Sequence, residues 1–373
     1  MILNLSSETN LSGFYIVYNG STNLEKNGWR GLSHLMEHLV FKSVDHLLTD
    51  FDRDGLEYNA YTSSNNIVFY LTGLDRCVNK WKDTFLNLLL EFKITEEDFI
   101  KERLIVLEEY MDAFNDQSQT HAMNLSRKLL NDFDPIGSRQ DLEALTYADI
   151  KEFFELQYAK PSKIINVSKN STYVNDSIEF SDITIDKRYE LGNYDVELEL
   201  SNEFKDKTSL IIATPIIEED FGYVDFINSI LGLGLSSPLY TEVREKRGLV
   251  YYIHCYMSML NKQGMCAIST VTSNDNADKV LECVKEVIDN PQKYITQERI
   301  DIVKDYFSVR AEINNIERHK RINKYINDTQ TVFDILDEVN MDKIMEVYNK
   351  YYKFETFHVS NDKTEFLKED EKN

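Results

Sequence analysis

Gly31-Leu32-Ser33-His34-Leu35-Met36-Glu37-His38-Leu39-Val40-Phe41-Lys42 is the stretch on which the rest of this 373-residue chain turns. It contains His-x-x-Glu-His and predicts a helix over about residues 33–42. On an α-helix, residues four apart are turned by only about 40°. His34 and His38 therefore point the same way from successive turns. Two neutral imidazoles held like this form half of a tetrahedral zinc site. Glu37 cannot easily ligate beside both histidines, but it can reach a water on the same metal. That is the position of a general base for metal-assisted hydrolysis. The plain alternative is a surface helix carrying two solvated histidines and a glutamate.

A zinc hydrolase needs a third protein ligand and an open position. Thr95 with Asp98 three residues on is a capping signal that opens a helix. That helix runs on through Glu102 and Glu109. Seven residues is close to two turns, so both carboxylates project from one face. Read without the histidines, Glu102, Glu108 and Glu109 are a solvated acidic face. Residues 57–62 and 67–72 read as two strands, one of which can capture an extended peptide along its edge. Further on, Arg244 can bind a carbonyl or carboxylate, and the Tyr251 hydroxyl can donate to an oxyanion. Alone, that segment is a charged helix end with Gly248 near its C-cap.

The length predicts two domains. With 42% hydrophobic and 12% aromatic residues the chain can bury sizeable cores. The formal charge of −23 argues against nucleic acid or an anionic membrane surface as partner. Cys77, Cys255, Cys266 and Cys283 form no Cys-x-x-Cys pair and read as packed, reduced thiols. No signal-like N-terminus or membrane-spanning run is read, so the expected compartment is the cytoplasm. Strands are expected at residues 14–18, 163–168, 209–214 and 356–360, with a hairpin over 251–272. Helices are expected at 75–92, 119–130, 223–231, 276–289, 296–325 and 341–351, among others. Two α+β halves of similar order suggest an internal duplication. The boundaries read as 1–170, a connection at 171–190, and 191–373.

In order along the chain, four features resemble the pitrilysin/insulinase family of zinc peptidases, whose inverted motif is H-x-x-E-H. They are residues 31–42; Asn59-Ala60-Tyr61-Thr62-Ser63; Glu102-Arg103-Leu104-Ile105-Val106-Leu107-Glu108-Glu109; and residues 239–251 with Arg244 and Gly248-Leu249-Val250-Tyr251. Pro135-Ile136-Gly137 also fits. The resemblance implies two homologous α/β-sandwich domains, each an antiparallel-rich sheet with helices packed on it. It implies one zinc per chain on His34, His38 and Glu109, Glu37 as base, and Glu102 orienting the site. Asn59 and Ala60 would bind substrate backbone, and Arg244 and Tyr251 would bind substrate, with Tyr251 steadying the tetrahedral intermediate. Because family chambers use four such domains, the resemblance implies a dimer acting on peptides, most simply a homodimer. A heterodimer, or a non-catalytic partner subunit, is the rival arrangement. Three departures are read: no further strand before residues 14–18, a chain compact for a two-domain member, and a leucine between the glycines of Leu231-Gly232-Leu233-Gly234-Leu235.

Overall fold

The computed structural model describes residues 1–130, 134–183, 206–260, 262–316 and 319–361. Nine strands are described: β1 Ile2–Ser6, β2 Leu11–Asn19, β3 Glu57–Thr62, β4 Asn66–Leu74, β5 Lys163–Ser168, β6 Lys207–Ile217, β7 Ile253–Leu260, β8 Gln263–Ser273 and β9 His358–Asn361. The main helices are α1 Leu32–Phe41, α2 Asp75–Leu90, α3 Glu96–Asn115, α4 Gln117–Leu130, α5 Tyr147–Phe153, α6 Phe221–Gly232, α7 Ala277–Ile288, α8 Gln297–Ile316, α9 His319–Asn327 and α10 Met341–Tyr351. The contacts divide the chain into two compact units. Among the described residues, the first holds 1–113, 134–183, 314–316 and 319–328. The second holds 114–130, 206–260, 262–313 and 329–361.

In the first unit the sheet order is β1-β5-β2-β4-β3. Only β1 pairs parallel, along β5; the other pairs are antiparallel. The short N-terminus does therefore carry a further strand, contrary to the expectation above. Its apolar run of Ile2, Leu3 and Leu5 is short, and its partner β5 lies far along the chain, so local pattern alone does not mark it. Strand β2 reads Phe14-Tyr15-Ile16-Val17-Tyr18 because both of its faces are covered, as continuous apolar runs require. Phe14, Ile16 and Tyr18 pack with Leu35, Met36 and Leu39 of α1, Phe85 of α2 and Val106 of α3. Tyr15 and Val17 face the other way, onto Ile322 and Ile326 of α9. Residues 171–183 run along this unit: Tyr173 packs edge-on against Phe14, and its hydroxyl donates to Asp83 at 2.8 Å. The remainder of the expected connection falls outside the described residues.

In the second unit the order is β7-β8-β6-β9. Matching β2 to β6, the β3–β4 hairpin to β7–β8 and β5 to β9 gives the same strand order in both sheets, as duplication predicts. Leu210 and Ile212 of β6 pack with Phe226, Val284, Ile300 and Ile344 from four helices. Ile211 and Ala213 face Leu125, Leu129 and Leu130 of α4. The helix read over 296–325 is described as helical at Gln297–Ile316 (α8) and His319–Asn327 (α9). Each sheet thus takes its second covering helix from the opposite half of the sequence: α9 on the first, α4 on the second. Lys163 of β5 fixes α9, its ammonium donating to the Tyr325 and Ile326 carbonyls and to Asp328. That places a cation at the helix C-terminus, where the dipole favours it. Among the described residues no helix is long and apolar enough to cross a membrane.

Both tryptophans, Trp29 and Trp81, belong to the first unit. Ile326→Ala should therefore lower the urea-unfolding transition followed by tryptophan fluorescence by about 2–4 kcal/mol. A loss below about 1 kcal/mol would mean that α9 is not a structural part of this unit.

Candidate active site

Helix α1 starts at a backbone crossing. Gly31, its N-cap, has φ +97°, a left-handed value that favours glycine. A Cβ on Gly137 would lie 2.3 Å from the Gly31 Cα, so neither strand of the crossing has room for a side chain there. Three carboxylates fasten the approach. Asp149 accepts from the Trp29 indole at 3.0 Å, and Asp141 from the Arg30 amide at 2.9 Å. Glu25 is fully buried and accepts from the Ser33 amide at 2.8 Å and the Gly31 amide at 3.3 Å. It thus satisfies amides that a helix start leaves without partners. Burial pushes the Glu25 carboxyl up to about 7, against the pull of these amides and of Arg30.

From this start, Leu32, Leu35, Met36, Leu39 and Val40 turn into the core. His34, Glu37 and His38 remain half-buried on the other face. The two Nε2 atoms lie 3.3 Å apart. The Glu109 carboxylate on α3 comes within 3.4 Å of His34 Nε2 and 3.8 Å of His38 Nε2. Among the described residues this is the group of three His, Cys, Asp or Glu side chains whose ligand atoms converge. A tetrahedral zinc with bonds of ~2.0–2.1 Å has ligand–ligand edges of about 3.3 Å, and two of the three edges match it while the His38–Glu109 edge is longer. Burial, then the neighbouring His38, pushes the His34 imidazole down to about 4. It is therefore neutral at neutral pH, with a lone pair to offer.

Glu102, buried one face-repeat before Glu109, lies 3.5 Å from His38 Nδ1, and Lys42 holds its other oxygen at 3.1 Å. A carboxylate at Nδ1 favours the tautomer whose Nε2 carries the lone pair. The buried Nδ1 of His34 has no hydrogen-bond partner among the described residues. Glu37 accepts from the Thr62 hydroxyl at 2.6 Å. Burial raises the Glu37 carboxyl; Thr62 and His38 oppose this, and the Glu109 charge adds to it. Behind it the Tyr158 hydroxyl is buried without a hydrogen-bond partner.

Asn59 and Ala60 lie on β3, the outermost strand of the sheet. The Asn59 side chain accepts from the Ala60 amide at 2.8 Å. Arg244 and Tyr251 come together in the second unit: the guanidinium lies 4.7 Å from the Tyr240 ring and 5.0 Å from the Tyr251 ring. Such cation–π contacts hold the group without consuming its donors. The Tyr251 ring is 79% exposed. The turn that carries Arg244 is anchored by buried Glu242, bonded to Lys246 at 2.8 Å and Arg247 at 3.1 Å. Burial would raise the Glu242 carboxyl, but bonds from Lys246 and Tyr294 and the charges of Lys246 and Lys293 pull it down to about 2. In the second unit, α8 carries Val303 and Arg310 where α3 carries Glu102 and Glu109, counting from each helix start.

Two units of one connectivity, the first bearing His-x-x-Glu-His against a distal glutamate helix, define the class. Residues 9–134 match the family model "Insulinase (Peptidase family M16)", and residues 192–307 match "Peptidase M16 inactive domain". The chain belongs to this insulinase, or pitrilysin, family of peptidases. It is 22% identical over 338 residues to a zinc protease of Bacillus subtilis, YmxG, covering 83% of this chain and 82% of that one. It is 23% identical over 363 residues to a zinc protease of Rickettsia felis, covering 88% and 86%. Both relatives carry the name "uncharacterized zinc protease". A protease from Helicobacter pylori has the same fold, with TM-score 0.78, 17% identity and 96% of each chain covered.

Glu25 and Thr62 were not singled out by sequence reasoning as site residues. Glu25 acts across a loop, where no periodicity points to it. Glu25 also yields a prediction of known sign. Its raised folded-state value means the folded chain keeps a proton that the unfolded chain releases above about pH 4.5. Its contribution is complete below that pH, falls as pH rises to about 7, and is flat beyond. Zinc-free protein should therefore lose more stability between pH 5 and 8 than Glu25→Gln does, read by urea unfolding. Equal losses would remove Glu25 from the account.

Proposed function

We propose that this chain is a zinc-dependent endopeptidase acting on peptides or small unfolded polypeptides. The observation that carries the reading is the convergence of His34, His38 and Glu109, with ligand atoms 3.3 to 3.8 Å apart. These three side chains would hold the ion, and Glu102 orients His38. Zinc bound there supplies a Lewis acid for the scissile carbonyl and for water. Glu37 takes the proton from the attacking water and passes it to the leaving amine; its raised pKa suits a group that must both accept and return a proton. The open edge of β3 aligns the substrate backbone, with Asn59 and Ala60 at its centre.

The Tyr251 hydroxyl donates to the developing oxyanion, and Arg244 binds substrate. We assign this pair to a partner copy, so that the working form is a homodimer enclosing its substrate. The rival is a non-catalytic or conditionally active subunit of a heterodimer. Retention of both histidines, Glu37 and Glu109 in one cluster favours the catalytic reading.

Glu37→Gln should keep its zinc and lose at least about 100-fold in kcat on unstructured peptides. His38→Ala should fail to retain zinc after dialysis, as measured by elemental analysis. Near-native cleavage by the first variant, or full metal content in the second, would refute the assigned roles.

A further inference from the structure

Thr62 ends strand β3, and its position is set by the sheet, opposite Ile67 of β4. Side chains alternate along a strand. Tyr58, Ala60 and Thr62 are half-buried, while Glu57, Asn59 and Tyr61 are exposed. On the covered face Tyr58 stacks on Phe41 at the end of α1, with ring centres 6.2 Å apart. Thr62 reaches Glu37 on the same helix through its 2.6 Å hydroxyl bond. Two side chains of β3 therefore touch the helix that bears the candidate base.

A carboxylate has two equivalent oxygens. The Thr62 bond engages Oε2 and leaves Oε1 for proton transfer. We propose that Thr62 is a positioning residue that ties the base to the docking strand. A peptide added to the open edge orders β3, and β3 orders Glu37 through the hydroxyl. Substrate docking and alignment of the base then become one event. The proposal rests on reading Glu37 as the base and β3 as the substrate strand.

Two substitutions separate the hydroxyl from the shape of the side chain. Thr62→Val keeps the shape and removes the donor; Thr62→Ser keeps the donor. The first readout needs no activity and uses zinc-free full-length protein. Thr62→Val should lower the melting temperature by about 3 °C, and by much less in a Glu37→Met background. Equal shifts in the two backgrounds would overturn the contact. The second readout is steady-state cleavage of an unstructured peptide by zinc-loaded protein. Thr62→Val should lose about tenfold in kcat, with KM within twofold and zinc content unchanged. Thr62→Ser should recover most of that loss. A raised KM at native kcat would make Thr62 a residue of the strand alone. Failure of serine to rescue would remove the hydroxyl from the argument. Thermal coupling together with no cleavage by the native chain would remove the peptidase reading and the positioning role, leaving a structural bond.

Discussion

The cluster of His34, His38 and Glu109 depends on where one helix begins. His34 and His38 can meet a carboxylate on α3 only if the axis and phase of α1 are fixed, and a helix is free to slide or rotate unless its end is held. Here the end is held by a contact that admits no side chains, Gly31 against Gly137, and by a buried carboxylate on the first amides. A buried Glu25 costs stability through desolvation. Its retention makes sense at a place where the amides would otherwise stay unpaired and the helix would lose its register. Asp141 and Asp149 add bonds from the far side of the same crossing. The Pro135-Ile136-Gly137 segment is thus part of the site's foundation, although it touches none of the ligating atoms.

The duplication explains how one chain can hold two different side-chain clusters on related frames. Both halves build a four-strand core in the same order and follow the central hairpin with a capped long helix. In the first half that helix carries Glu102 and Glu109. In the second the corresponding places hold Val303, packed in the core, and Arg310. Among the described residues the second half shows no such convergent His/Glu group, and it carries the Arg244–Tyr251 pair on a turn anchored by Glu242. The exchange of α4 and α9 has a further consequence. α3 carries Glu109 and is followed, after Asp116, by a helix that belongs to the other unit.

Much of this was legible in the sequence because it obeys local periodicity. The helix of the motif, the helix opened by Thr95, and the strands at residues 57–62 and 67–72 follow from local pattern. The spacing of Glu102 and Glu109 put both on one face, but choosing between them required the family resemblance. The illegible parts are those made by distant pairing. β1 is recognisable only beside β5, the covering role of α9 only beside β2, and the reach of Glu25 only once its loop has closed. Thr62 was visible as a residue of a strand. That its hydroxyl would face Glu37 follows from the register of β3 against β4 and the packing of α1, neither of which a linear pattern encodes.

The remaining question is what holds three ligand atoms at such short separations. A proton shared between imidazole and carboxylate would do so as an ion pair. Burial and the neighbouring His38 argue against that for His34, whose imidazole gives up its proton near pH 4. A neutral His34 keeps one N–H and one lone pair, and its Nε2 lies 3.4 Å from a Glu109 carboxylate oxygen. In the tautomer whose Nε2 carries the lone pair, these two atoms repel unless a cation lies between them. In the proposed reading zinc would meet this demand, competing with protons for the same lone pairs. The burial that disfavours a second proton on His34 is then compatible with a metal there, and the fixed start of α1 holds the three side chains together.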